Sequence, residues 1–200
     1  MNNDKKKEEY TLMPIQDFKA ILCLDDRDDK ISTFCLVSAT HTIEQYCKRR
    51  LLKKKHFELI EFTGDLLLSL AEYPVQEIIA VYLKTGISGA GKILETELYE
   101  VFPDCGTDID LPFNLTLSPA LRRYRRLSAI KAVYIAGYEY GKVPPDLATA
   151  CMELAAWNMN RYKGRRIGMS GNIQKDGLHH EISMPENVKH LIEPYRRKII

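Results

Sequence analysis

The chain has 200 residues, 45% hydrophobic and 28% charged, enough apolar material for one sizeable core or a core plus a subdomain. Its 29 lysines and arginines against 27 acids leave a formal charge of +2, too little for the field of the whole protein to drive tight binding to nucleic acid or anionic lipid. No stretch approaches the roughly 20 apolar residues that cross a bilayer, and the start MNNDKKKEEY lacks the apolar region of a secretory signal, so a cytosolic protein with no membrane partner is predicted. Residues 1–12 are polar and lysine-rich and read as a flexible tail ahead of a single domain over 13–200. Pro14 suits a first helical turn, and Ile15, Phe18, Ile21 and Leu22 recur at helical spacing, predicting a short helix up to the acidic break at Asp25, Asp26, Asp28 and Asp29.

Asp28 or Asp29 can cap a second helix, because a carboxylate there accepts hydrogen bonds from free backbone N–H groups. Ile31, Phe34, Cys35, Ser38, Thr42 and Tyr46 mark one face of it as far as about Leu52, with Lys48, Arg49, Arg50 and Lys53 near the negative end of the helix dipole. From about residue 56 to 140 the chain changes to β-branched and aromatic runs broken by Gly, Pro and Asp. Strands are predicted at 57–62, 66–70, 75–84, 97–102, 114–117 and 127–136. They form a small antiparallel insert, since no run is followed by a crossover helix of convincing length.

After Gly141, Pro144 and Pro145 open a helix whose Leu147, Ala150, Cys151, Leu154 and Trp157 follow at i, i+3, i+4, i+7 spacing to about Tyr162. Residues 164–177 hold four glycines without apolar periodicity and read as a loop, and a last short helix follows Pro185 through Val188 and Leu191. The fold class is α+β: a mainly helical frame, with an N-terminal helix pair and C-terminal helices, carrying an inserted antiparallel β subdomain.

The sharpest sign of an enzyme is the run from Gly86 to Lys92, GISGAGK, which has the G-x-x-x-x-G-K spacing of a phosphate-cradling loop. Ile93 stands where a Ser or Thr hydroxyl would hold magnesium, so a glycine-rich hairpin competes with a nucleotide-binding packaging enzyme. Five cysteines, Cys23, Cys35, Cys47, Cys105 and Cys151, form no C-x-x-C pair and read as buried thiols; His41, His56, His179, His180 and His190 make no metal spacing. No catalytic, cofactor or metal residue is assigned. Basic clusters at 48–55, 122–126 and 161–166 leave a small DNA-binding packaging component as a further alternative, with Arg161, Lys163, Arg165 and Arg166 facing DNA or a neighbouring subunit.

Taken in order, these phrases resemble the head-tail connector, or adaptor, family of tailed bacteriophages. The residues that carry the resemblance are the short helix with its acidic break over 15–29, the basic-ended phrase IEQYCKRR at 43–50, YPVQEI at 73–78, the AGY stop at 136–138, VPPDLATA at 143–150, and PYRR at 194–197. The resemblance implies a non-enzymatic ring, commonly of twelve subunits, in the virion neck, assembled in the host cytoplasm. Its implied partners are the portal protein, neighbouring copies of itself and the next neck or tail-completion protein, with non-specific contact to channel DNA. A C-terminal docking segment over about 185–200 is expected to reach the portal through Tyr195, Arg196, Arg197, Lys198, Ile199 and Ile200.

Overall fold

A computed structural model describes residues 10–85, 91–102, 114–124, 128–164 and 184–197. The chain divides into two compact units, one made of residues 1–48 and 139–200, the other of Arg49–Tyr138.

In the first unit, α1 (Ile15–Leu22) starts directly after Pro14, whose extended ψ of 138° sets the entry into the helix. Ile15 and Phe18 are buried, while Ile21 stays exposed. The chain reverses at Cys23 in the left-handed conformation (φ 51°) and passes through a short 3-10 turn, Asp26–Asp28, into α2 (Asp29–Cys47). Its buried face is Ser32, Cys35, Leu36, Ala39, Thr40, Ile43 and Cys47, the three-and-four spacing of one helical stripe. α3 (Pro145–Lys163) begins with Pro145 in its first turn, where a missing N–H costs nothing, and buries Leu147, Ala150, Cys151, Leu154, Ala155 and Met159. α2 and α3 pack side by side, bringing Thr40 Oγ1 to 3.6 Å from the Cys151 sulfur. The short α4 (Glu186–Ile192) lies on α3 with Val188 and Ile192 buried.

Several expectations change here. Thr11, Leu12 and Met13 are buried, and the Leu12 N–H donates to Thr40 Oγ1 at 3.0 Å, so the predicted tail is part of the core from residue 11 onward. Residues 1–9 lie outside the described residues. Neither aspartate caps α2 through its side chain: the Asp28 carboxylate pairs with Lys163 at 2.9 Å, and Asp29, with Asp26, receives the buried ammonium of Lys19. Burying one cation between two carboxylates fastens α1 to the start of α2, a use that competes with capping. α2 stops at Cys47 rather than about Leu52, because Lys48 turns left-handed (φ 55°), and no basic residue occupies its last turn. Of the cysteines, Cys35, Cys47 and Cys151 are buried, but Cys23 is exposed.

The second unit holds two antiparallel sheets. The larger contains β1 (Lys54–Glu61), β3 (Val75–Thr85), β4 (Lys92–Ile93) and β7 (Ser128–Ala136) in the order β1-β7-β3-β4. The smaller contains β2 (Leu67–Ser69), β5 (Tyr99–Phe102) and β6 (Asn114–Leu117) in the order β2-β6-β5. Leu68, Leu115 and Leu117 of the small sheet meet Val81, Leu83 and Ile130 of the large one, and Phe62, Leu94 and Leu121 complete that core. Antiparallel pairing fits the prediction, but only β3–β4 and β5–β6 join sequence neighbours, while β1–β7, β3–β7 and β2–β6 pair strands distant in the chain.

The unit opens at Arg49, before the predicted boundary near 56. Arg49 is buried, its guanidinium 3.7 Å from the centre of the Tyr73 ring and Nη1 donating to the Tyr73 carbonyl at 2.7 Å. Leu51 and Leu52 then run beside the exit strand. The Tyr138 N–H donates to Leu51 O at 2.7 Å, and the Lys53 N–H to Tyr138 O at 2.8 Å, around a parallel bridge between Leu52 and Tyr138. Gly137 has φ +103°, and a Cβ there would stand 2.6 Å from the Leu52 backbone, so only glycine lets the two segments approach.

Candidate assembly surfaces

The predicted docking segment is first of all a clasp within its own unit. A 3-10 turn, Glu193–Tyr195, continues α4, and the Tyr195 hydroxyl lies 2.7 Å from both carboxylate oxygens of Asp146 in the first turn of α3. The Arg197 N–H donates to Cys47 O at 2.8 Å, satisfying a carbonyl at the end of α2 that has no partner inside the helix. The Tyr46 hydroxyl donates to Glu193, and Arg196 reaches both Glu193 at 3.4 Å and the face of the Tyr46 ring at 5.7 Å. That donated bond holds the Glu193 carboxyl below its ordinary value and raises the Tyr46 hydroxyl above its own. Tyr195, Arg196 and Arg197 are thus positioned by their own chain, while Lys198, Ile199 and Ile200 lie outside the described residues.

Of the four basic residues expected to face DNA or a neighbour, two are described and both have local work. Arg161 stacks on Trp157 with its guanidinium 4.5 Å from the ring, and Lys163 pairs with Asp28. Arg165 and Arg166 lie outside the described residues. The cluster near 50 is also divided, since Arg49 is buried while Lys53, Lys54 and Lys55 are exposed. Arg122 and Arg123 are exposed on a 3-10 segment, Pro119–Tyr124.

The described end of the glycine run, Gly91 and Lys92, leads into a strand. Lys92 and Ile93 form β4, paired antiparallel with Leu83 and Tyr82 of β3. A phosphate loop instead places its lysine at the start of a helix; residues 86–90 lie outside the described residues. Among those that are described, no group of three His, Cys, Asp or Glu side chains could hold a metal ion. His56 stacks on Tyr134, and burial pushes its imidazole below the ordinary value. Tyr134 in turn donates to Glu58 at 2.8 Å and accepts from the Glu72 N–H. This polar network ties β1 and β7 to the 71–72 segment. No helix among the described residues is long and apolar enough to cross a membrane.

One surface escaped the sequence reading. The large sheet packs one face into the core and turns the other outward, where the register lines up four rows: Lys55 beside Ile135 and Glu77; Phe57 beside Val133 and Ala80; Leu59 beside Lys131, Tyr82 and Ile93; Glu61 beside Ala129 and Lys84. Phe57 is 65% exposed, Leu59 61% and Ile93 58%. The Lys131 ammonium lies 5.7 Å from the centres of both the Phe57 and Tyr82 rings, and Lys55 lies 5.4 Å from Phe57. The outer face therefore sets exposed apolar and aromatic side chains around the central Lys131, with Lys55, Glu77, Glu61 and Lys84 in the rows at either end.

These helices and antiparallel sheets define an α+β fold, and solved structures that share it include chains from the necks and virions of gene transfer agents. A chain described as the neck of an empty gene transfer agent particle computed with C6 symmetry matches at TM-score 0.62 and 19% identity, covering 94% of this chain and 91% of that one. A chain of the virion of a native gene transfer agent particle matches at TM-score 0.60 and 18% identity over 94% and 91%. One from the neck of a native particle computed with C12 symmetry matches at 0.57 and 18%, over 94% and 90%. At such identities the likeness is one of fold. No protein-family model matches the chain, and no curated protein matches it in sequence.

Proposed function

We propose that this protein is a structural subunit of the neck of a tailed-phage-like particle, forming a ring that binds the portal and extends the DNA channel towards the tail. The observation that carries the proposal is the fold likeness to neck chains, which spans 94% of the residues and both compact units. Cyclic symmetry was applied to two of the necks, and a ring needs two different faces per subunit that fit each other and close by rotation. The chain acts by binding in this reading, and the run from Gly86 to Lys92 carries no nucleotide. The C-terminal clasp supports a docking role, because it delivers the residues after Arg197 from a fixed point on the helical unit. Residues 198–200, with two isoleucines, then reach the portal.

Negative-stain imaging of the full chain mixed with its portal protein tests this. Rings seated on the portal are expected with the intact chain. A chain shortened by residues 198–200, which keeps the Tyr195 and Arg197 contacts and so its fold, is expected to lose the seat. Intact protein that never joins the portal, or unchanged affinity in the shortened chain, overturns the ring or the docking assignment respectively.

A further inference from the structure

In the strand register His56 of β1 lies opposite Tyr134 of β7, with Lys54 and Glu58 as its neighbours on that face of β1. The half-buried His56 ring stacks on the Tyr134 ring, centres 5.7 Å apart and planes at 30°, and bonds to the Ala136 backbone. Its other nitrogen, Nε2, is enclosed and has no hydrogen-bond partner among the described residues. The lone pair of a neutral imidazole is free there to take a proton, and the N–H so formed would find no acceptor. A buried donor left unsatisfied is costly, and more so when it carries charge.

The charges around the ring oppose that proton unevenly. Burial most of all, and then the Lys54 ammonium, hold the imidazole below its ordinary 6.5; Arg50 adds to this, while Glu58 and the Ala136 backbone pull the other way. Glu58 is the acid on the ring's own face of β1, and its Oε2 is already committed. It accepts the Tyr134 hydroxyl at 2.8 Å and the Ala71 N–H at 3.0 Å. The Glu72 N–H donates to the Tyr134 oxygen at 3.2 Å, and the Glu72 carboxylate accepts the Arg50 N–H at 2.9 Å. Residues 71–72, and through Glu72 the start of the sheet unit at Arg50, thus hang on Glu58 and Tyr134, the two groups beside His56.

We infer that His56 is an acid-operated catch within the sheet unit: neutral, it seats on Tyr134 and leaves Glu58 to hold residues 71–72; protonated at Nε2, it draws Glu58 to itself and lets residues 71–72 and Arg50 loosen. The proton comes from solvent, and no other covalent change is involved. The inference concerns residues 50–136 alone and stands independently of the neck-subunit reading. Its sign follows from linkage: the closed form binds the proton less well than the loosened one, so the closed form is fully favoured above about 6.5 and gives way as pH falls through the lower value of the seated ring.

The test follows the full chain by NMR between pH 7.5 and 5, reading the His56 ring signal and, by hydrogen exchange corrected for intrinsic rates, the protection of the Ala71 and Glu72 amides. His56 is expected to titrate below 6.5, and the two amides to lose protection about tenfold for each pH unit below its midpoint. His56→Phe, which keeps a ring on Tyr134 and takes no proton, is expected to hold both amides equally across the range. The exposed substitution Lys54→Gln leaves the network intact and removes a repelling charge, so it is expected to move the loss of protection to higher pH. The catch is overturned by a His56 that titrates at or above 6.5, by amides whose protection ignores its titration, by the same acid loss in His56→Phe, or by an unmoved midpoint in Lys54→Gln. Should His56→Phe not fold, the parent and Lys54→Gln titrations still decide the matter.

Discussion

Gly137 shows how much one residue can carry. Its left-handed backbone and the approach of the Leu52 backbone leave no room for a methyl group, and the obstructing atoms are main chain, which cannot swing aside. Gly137→Ala is expected to destabilise the sheet unit by about 3 kcal/mol or more, combining backbone strain with overpacking. Gly141 makes the control: it also has positive φ, at 76°, but nothing lies within 4 Å of an added Cβ, so Gly141→Ala costs about 1 kcal/mol. Thermal melts of the two variants against the parent check the contrast, and equal losses would show that the close approach is not what Gly137 provides. Arg49 teaches a different lesson. It stands in a basic run that reads as a solvated helix end, yet its guanidinium stacks on Tyr73 and donates to that residue's carbonyl from a buried position. Composition marks the charge of such a run, not the ring that one member finds 24 residues away.

At the scale of elements, period and punctuation carried most of the fold. β6 spans the predicted 114–117, and β3 and β7 differ from prediction by one residue at one end, because each is bounded by residues that break a strand. α3 was legible from its apolar stripe and its prolines. The end of α2 was not, since the switch of Lys48 to the left-handed region uses a residue with no special preference for it. β4 has only two residues and no period to read. The outer sheet face stayed hidden for a deeper reason: in β1, Phe57 and Leu59 alternate with half-buried His56, Glu58 and Ile60, and both sets include apolar side chains. Alternation announces a strand without saying which side is covered.

The C-terminal clasp is an element whose strength should follow pH. Its Glu193 carboxyl is held below the ordinary value of 4.5, first by the bond from Tyr46. A depressed carboxyl contributes stability that is fully present above 4.5 and disappears as pH falls through the lower, folded value. Wild-type protein should therefore protect the backbone amides of 193–197 from hydrogen exchange better than Glu193→Gln at pH 7, with the difference closing under acid. A gap that is constant with pH would mean that Glu193 acts there by packing alone.

On the scale of the whole molecule, a series of short phrases in a particular order resembles the connector family, and the chain shares its fold with a neck chain over 94% of its length. What the sequence left open was how the exposed side chains are grouped in space, because that depends on which strands pair and in what register. That grouping appears only once register brings Leu59, Lys131, Tyr82 and Ile93 into one row.

The bridge between Leu52 and Tyr138 has a consequence for the history and handling of the chain. Where the polypeptide enters the sheet unit and where it leaves it are adjacent, hydrogen-bonded positions, so residues 49–138 behave as a cassette whose two ends are already tied together. Expressed by itself, that cassette should melt as one cooperative unit, and its amide spectrum should reproduce that of the same residues in the full chain. Such a module can be lengthened or exchanged without moving the points at which the chain enters and leaves it.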